Sequence, residues 1–88
     1  MQIINPATEE LVREISEDNG ETLSKKFQLL RNAQPGWSKL PIKQRVKILQ
    51  DFSNNLEKNI ESLAAILTLE MGKPLKQSRN EINGARTR

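Results

Sequence analysis

The sequence contains neither cysteine nor histidine. Without cysteine there is no disulfide and no thiolate nucleophile, and without either residue the usual transition-metal ligands are missing. Histidine is also the side chain best suited to proton transfer near neutral pH. The composition therefore excludes most nucleophilic and metal-dependent mechanisms from this chain.

Aromatic residues are also scarce, because Phe27, Trp37 and Phe52 make up only 3% of the 88 residues. A chain of this length forms at most one small domain and buries only about 60–65% of the surface that its unfolded form exposes. Its core must come from Leu, Ile, Val and Ala on helix faces. We expect that core to be thin.

Long apolar runs are missing as well. The longest, Leu63 to Leu67, is far too short to span a bilayer, and the first residues show no basic leader followed by a sustained apolar stretch. The lack of cysteine is compatible with a reducing compartment. We therefore expect no membrane association and a cytoplasmic location.

The net charge of +3 comes from the C-terminal third of the chain. Residues 73–88 carry one acid, Glu81, against the cations Lys73, Lys76, Arg79, Arg86 and Arg88. No aromatic residue lies among them to stack on bases, so we interpret this region as a solvated face rather than a nucleic-acid site. A second basic cluster, which we also assign to solvent, consists of Lys39, Lys43, Arg45 and Lys47.

Proline and glycine positions divide the chain into five elements. An apolar start, a turn at Asn5-Pro6-Ala7-Thr8 and alternation on the return predict a β-hairpin over residues 2–16. The helical spacing of apolar residues predicts helices over residues 20–34, 41–57, 59–71 and 74–88. The predicted fold class is mainly α with an N-terminal β-hairpin.

Each predicted helix has one apolar face. The four faces carry Leu23, Phe27, Leu30 and Ala33 in the first helix, Ile42, Val46, Leu49, Phe52 and Leu56 in the second, Ile60, Leu63, Ala64, Leu67 and Met71 in the third, and Leu75, Ser78 or Arg79, Ile82 and Ala85 in the fourth.

The helix ends follow from local chemistry. Asn19 or Thr22 should cap the first helix, and Pro35-Gly36 should end it, leaving Trp37 in a connector as an anchor between helices. Gly72 should end the third helix in the left-handed conformation. Lys73 then complements the negative end of the helix dipole, and Pro74 can start the next helix.

Several of these stretches resemble the N-terminal region of the aldehyde dehydrogenase superfamily. The resemblance covers essentially the whole chain and rests on Asn5-Pro6-Ala7-Thr8, on Trp37, Arg45 and Leu49, and on Thr68-Leu69-Glu70-Met71-Gly72-Lys73-Pro74-Leu75. The chain departs from the family at Glu9, where the turn commonly has glycine. This turn therefore either differs in type or holds a non-glycine residue in an unfavourable conformation.

The resemblance implies an α/β parent with a Rossmann-type cofactor domain, of which residues 1–88 are an N-terminal part that stops within a helix. It also implies oxidation of an aldehyde to an acid with NAD or NADP, through a cysteine thiohemiacetal, hydride transfer and glutamate-assisted thioester hydrolysis. The family's catalytic cysteine and glutamate, its oxyanion-hole asparagine and its cofactor-binding segments lie further along the chain.

No residue of this chain is predicted to be catalytic, cofactor-binding or metal-binding. Glu70 is interpreted as part of a helix end rather than as a base, because the chain has no nucleophile for it to activate. Gly20, Gly36, Gly72 and Gly84 are isolated from one another, so no dinucleotide-binding loop is predicted. The fragment should be inactive and bind no NAD or NADP.

The expected partner is the rest of the parent chain, which would cover the apolar surface that the fragment exposes. Without it, we expect self-association. One alternative is a complete small helical interaction module whose basic C-terminal third binds an acidic partner. Another is a nucleic-acid binder, which strong and salt-sensitive binding to DNA or RNA would support.

Overall fold

The computed structural model describes residues 1–87. Its elements, in chain order, are β1 (Gln2–Ile4), β2 (Leu11–Glu14), α1 (Gly20–Lys39), α2 (Ile42–Lys58), α3 (Ile60–Met71) and α4 (Leu75–Arg86). The predicted fold class, mainly α with an N-terminal β-hairpin, is confirmed. The predicted fourth helix extended to position 88, which lies outside the described residues.

The hairpin pairs β1 with β2 in antiparallel register, with Gln2 opposite Glu14 and a register shift after Ile3. Asn5 organises the turn. Its side-chain oxygen accepts a hydrogen bond from the backbone N–H of Ala7 at 2.9 Å, and its own N–H donates to the carbonyl of Glu10 at 2.9 Å. An Asx turn of this kind fixes the direction in which the chain reverses.

Glu9 adopts a φ of 61°, the only positive value at a non-glycine residue within residues 1–87. Of the two alternatives that the sequence left open, the structure therefore has the strained one. A left-handed conformation costs an ordinary L-residue about 1–2 kcal/mol, because Cβ approaches the following carbonyl oxygen.

The substitution Glu9→Gly is expected to raise the free energy of unfolding by about 0.5–1 kcal/mol. The relief of backbone strain should exceed the extra entropy that glycine loses on folding. Urea denaturation followed by circular dichroism measures the change. The neighbouring substitution Glu10→Gly, at a residue without positive φ, should instead be destabilising, and an equal effect at both positions would contradict the assignment of strain to Glu9.

The end of α1 differs from the prediction. Pro35 and Gly36 lie inside the helix, which continues to Lys39. A proline removes one backbone hydrogen bond but can be accommodated within a continuous helix. The helix stops at Leu40, which has extended backbone angles of φ −63° and ψ 137°, because Pro41 disfavours the helical conformation in the residue before it.

Trp37 is therefore helical, and the prediction that it lies in a connector is wrong. It remains 39% exposed and lines a shallow surface depression together with Leu30, Ala33 and Gln34, all from α1 itself. That it anchors two helices stays a prediction.

Two predicted helix termini are confirmed. Asn19 caps α1, since its side chain accepts from the N–H of Thr22 at 2.9 Å, and the hydroxyl of Thr22 accepts from the N–H of Asn19 at 2.9 Å. This reciprocal pair is a capping box. Gly72 ends α3 with a φ of 65°, and its N–H donates to the carbonyl of Thr68 at 2.9 Å.

The core lies where α3 crosses α4. Ala64 and Ser78 are fully buried at 0% exposure, and the hydroxyls of Thr68 and Ser78 are hydrogen-bonded at 2.8 Å. Small side chains allow the two helices to approach closely. Ala64 is the one buried apolar residue in the part of the chain that the structure describes, so the expectation of a thin core is confirmed.

The chain forms a slab of 48 × 34 × 16 Å. Since a helix with its side chains is about 10–12 Å across, the shortest dimension admits little more than one layer of helices. The apolar faces predicted for α1 and α2 remain exposed, including Leu23, Phe27, Leu30, Ile42, Val46, Leu49 and Phe52.

Helix α3 is apolar on more than one side. It packs against α4 and its Ala64 is buried, yet Ile66 and Leu69 on its other faces are 50% and 47% exposed. A helix with apolar residues around its circumference is normally covered on several sides. The slab therefore lacks a second layer on α3 as well as on α1 and α2.

Candidate functional site

The two stretches that carry the family resemblance meet in space. A Cβ placed on Gly72 would lie 2.8 Å from Cγ of Pro6 and 3.5 Å from the backbone nitrogen of Ala7. The turn of the hairpin thus rests on the corner between α3 and α4. Two local requirements fix glycine at position 72, the left-handed φ of 65° and the close approach of Pro6.

This corner is the chain's best candidate for a functional site, and it does not fit a dinucleotide. A pyrophosphate needs a glycine-rich turn whose backbone the ligand can approach. Here the open side of Gly72 is already filled by the ring of Pro6. The other glycines, Gly20, Gly36 and Gly84, lie within helices. We therefore derive no cofactor chemistry from residues 1–87.

Ion pairs link α4 to the rest of the chain. Glu61 of α3 accepts two close hydrogen bonds from Arg79 of α4, from Nε at 2.9 Å and from Nη2 at 2.8 Å. Lys73, just after Gly72, pairs with Glu81 in the second turn of α4. Arg86 pairs with Glu57 of α2 through Nη2 at 2.8 Å. These contacts orient α4 against its neighbours.

The Arg79 hydrogen bonds lower the pKa of the Glu61 carboxyl, with charge attraction acting in the same direction and desolvation opposing both. The same bonds raise the pKa of Arg79. Near α1, the pKa of Asp18 is lowered mainly by a hydrogen bond from Lys26 and to a smaller extent by one from Thr22. All three groups are solvent-accessible, so these shifts report local pairing rather than a catalytic environment.

The pair between Glu61 and Arg79 predicts a defined pH dependence. A carboxyl with a lowered pKa stabilises the fold above its ordinary pKa, and this contribution is lost as the pH falls through the lowered value. We expect the NMR titration of the Glu61 side chain to show a midpoint below the ordinary glutamate range. Arg79→Met should return it to that range, whereas Lys25→Met, at a cation paired with Glu21, should not move it.

An apolar groove lies between α2 and the end of α4. Its volume is about 460 Å³. It is lined by Val46, Leu49, Gln50, Phe52, Ser53, Leu56, Ala85 and Arg86. At its edge the hydroxyl of Ser53 donates to the carbonyl of Arg86 at 3.4 Å. This surface, which we call the α2–α4 groove, suits a packing contact better than a polar ligand.

Glu70 lies exposed in the last turn of α3. Within residues 1–87, no three acidic side chains converge in a way that could hold a metal ion. Among the described helices, none combines the length and apolar character that crossing a bilayer requires. The described residues form helix-packing contacts and ion pairs at the surface.

The aldehyde dehydrogenase family model matches residues 1–87. The chain therefore belongs to the aldehyde dehydrogenase family. This agrees with the structure, in which the two family-like stretches form a single contact at Gly72.

Several curated proteins are similar to this chain. The 3,6-anhydro-alpha-L-galactose dehydrogenase of Vibrio sp. (strain EJY3) is 32% identical over 84 residues, which cover 96% of this chain and 18% of that protein. Malonate-semialdehyde dehydrogenase 1 of Oceanobacillus iheyensis is 34% identical over 80 residues, 91% of this chain and 16% of the relative. The chain thus spans about a sixth of the length of such relatives.

A solved structure contains the same arrangement of elements. Glyceraldehyde-3-phosphate dehydrogenase GapN from Methanocaldococcus jannaschii, complexed with NADP, superposes with a TM-score of 0.93 and 29% identity. The match covers 99% of this chain and 19% of that chain. The hairpin and the four helices are therefore arranged as they are in a chain about five times longer.

Sequence reasoning located both halves of the corner but not their contact. Nothing in the local pattern at Pro6 or Gly72 shows that the two residues touch. The left-handed glycine was the available signal, since it predicted a special backbone position at 72. The pairing of Arg79 with Glu61 was not predicted either.

Proposed function

We propose that this chain forms an outer helical layer of an NAD(P)-dependent aldehyde dehydrogenase, with a structural and not a catalytic role. One observation carries the proposal. The whole described fold superposes with a TM-score of 0.93 on an NADP-complexed dehydrogenase, yet accounts for only 19% of that chain. The reaction of the whole enzyme would be oxidation of an aldehyde to an acid with NAD or NADP.

The chemistry of such an enzyme would lie outside this chain. A thiohemiacetal needs a thiol, and the sequence has no cysteine. The only glycine with a left-handed backbone is covered by Pro6, which leaves no cradle for a pyrophosphate among the described residues. Binding of the nicotinamide cofactor belongs, in this proposal, to a Rossmann-type α/β domain formed by other segments of the enzyme.

The geometry of the slab supports a partner that covers its exposed apolar faces. Stable domains bury their apolar faces between at least two layers, whereas this slab leaves Phe27 and Phe52 56% and 60% exposed. In the proposal, the rest of the enzyme supplies the second layer. In its absence the same faces should drive self-association. A cytoplasmic location is part of the same proposal.

The pairing of the basic C-terminal third gives less support to the alternative functions. Lys73, Arg79 and Arg86 each pair with an acid of the same chain. Cations that are already neutralised contribute little to phosphate or acidic-peptide binding. Neither the interaction module nor the nucleic-acid binder is favoured by a specific observation.

The 88-residue chain is expected to show no aldehyde-dependent reduction of NAD or NADP. The purified chain would be assayed by NAD(P)H absorbance with glyceraldehyde 3-phosphate and malonate semialdehyde, beside the intact Methanocaldococcus jannaschii enzyme as positive control. Turnover that copurifies with the chain would overturn the structural role.

Sedimentation of the 88-residue chain at increasing concentration should show self-association, and a strictly monomeric chain would contradict an uncovered apolar face.

A further inference from the structure

Helix α1 carries a regular apolar stripe that the slab leaves exposed. Its members recur at alternating steps of four and three residues, the spacing at which helices pack along one another. Each of the four apolar members exposes more than a third of its surface. The stripe, which we call the α1 seam, consists of Leu23, Phe27, Leu30, Gln34 and Trp37.

The residues of α1 suit a second copy of the same helix in antiparallel orientation. In the register that overlaps the whole seam, Trp37 of each copy faces Gly20 of the other. In the same register Phe27 faces Leu30. Gly20 leaves room for the indole ring, because a Cβ added there would meet no atom within 4 Å. The largest side chain of the seam thus faces a glycine, as close packing between facing positions favours.

The charges beside the seam distinguish the antiparallel from the parallel orientation. The charged residues at its flanking positions are Lys26 and Arg31. In a parallel pair, Lys26 of one copy would lie opposite Arg31 of the other, and like charges at such positions oppose pairing. In the antiparallel pair, Arg31 lies opposite Ser24. Lys26 lies opposite Ala33, so no like charges meet across the seam.

We propose that two copies of the 88-residue chain associate through the α1 seam as a two-fold symmetric, antiparallel helix pair. The inference rests on the self-association stated in the proposed function and names its surface. A polar residue within such a seam favours one register over the others, and Gln34, opposite Leu23, occupies that place here. The apolar face of α2 is less available, since the hydroxyl of Ser53 in it bonds to the carbonyl of Arg86 from α4 at 3.4 Å.

Sedimentation equilibrium of the 88-residue chain measures the dimerisation constant, and Leu30→Gln is the main variant. Leu30 is 72% exposed in the single chain, so the substitution should leave the helix content measured by circular dichroism unchanged. Because the interface is symmetric, each dimer loses two buried leucines. We expect association to weaken about 10-fold or more.

Leu29→Gln is the matched control. Leu29 is 70% exposed, and the variant makes the same chemical change one residue earlier, on a part of the α1 surface outside the seam. It should change the dimerisation constant by less than about 3-fold.

Ser24→Glu tests the orientation independently and removes no apolar contact. In the antiparallel pair it places a carboxylate opposite Arg31 of the other copy, twice in each dimer. We expect association to strengthen about 2–5-fold. Ser38→Glu adds the same charge to α1 near Glu17 and Asp18 of the other copy, and it should not strengthen association.

The outcomes separate this inference from the proposed function. Equal effects of Leu30→Gln and Leu29→Gln would overturn the α1 seam and leave self-association standing. The same holds if Leu49→Gln in the α2–α4 groove abolishes association while Leu30→Gln does not. If Ser24→Glu does not strengthen association more than Ser38→Glu, the antiparallel orientation is overturned. A chain that stays monomeric at every concentration would contradict both the seam and the self-association in the proposed function.

Discussion

Gly72→Ala is expected to lower the free energy of unfolding by about 2–5 kcal/mol. Two effects add. A left-handed backbone costs an L-residue about 1–2 kcal/mol, and the φ of Gly72 is 65°. The new Cβ would also lie 2.8 Å from Cγ of Pro6, an overlap whose relief by backbone shifts costs about 1–3 kcal/mol.

Urea denaturation followed by circular dichroism measures this loss, and Gly84→Ala is its control. Gly84 lies within α4, and a Cβ added there meets nothing within 4 Å. That substitution should stabilise the chain by about 0.5–1 kcal/mol, because alanine favours the helix. A similar sign at both glycines would contradict the explanation.

The two contributions at Gly72 can be separated with Pro6→Ala, which removes the atom that Cβ would meet. In that background Gly72→Ala should cost only the backbone strain, about 1–2 kcal/mol. An unchanged cost would mean that the hairpin turn does not rest on the helix corner, and would remove the link between the two family-like stretches.

Ala64→Leu is expected to be the second most damaging change, with a loss of about 1–3 kcal/mol. Ala64 in α3 and Ser78 in α4 are both 0% exposed, and these two helices pack against each other. Three additional carbons at a close helix crossing force the helices apart or push side chains off their rotamers. The separation would also stretch the 2.8 Å hydrogen bond between the hydroxyls of Thr68 and Ser78.

Ala65→Leu makes the same chemical change at the next residue, which is exposed. It should alter the free energy of unfolding by no more than about 0.5 kcal/mol. Thermal melting of both variants gives the comparison. If they melted together, the α3–α4 crossing could not be the core of the slab.

The predicted helix ends were confirmed where they depend on residues within one helical turn. The capping box at Asn19 and the left-handed stop at Gly72 depend on residues within one helical turn, and both are confirmed. Pro35 was also a local signal, but its interpretation as a helix end is wrong. A proline inside a helix costs hydrogen bonding without fixing where the helix stops, and Leu40 before Pro41 is where it does.

The apolar faces of the helices also separate what is local from what depends on packing. Periodicity predicted one apolar face on each of α1 and α2, and the structure leaves residues of both faces exposed, Phe27 and Phe52 among them. It could not say whether anything in the chain covers them. Burial depends on how separate elements dock, and in this slab the docking of α4 on α3 uses two small residues, Ala64 and Ser78, that give no strong hydrophobic signal.

The sequence by itself determined the order and type of the elements, the special backbone at Gly72, and membership of the aldehyde dehydrogenase family, because these depend on residue preferences and spacing along the chain. Only the tertiary structure decided that Pro6 meets Gly72 and that Arg79 pairs with Glu61. Such contacts join residues from different elements, so they follow from the geometry of packing, which no local pattern encodes.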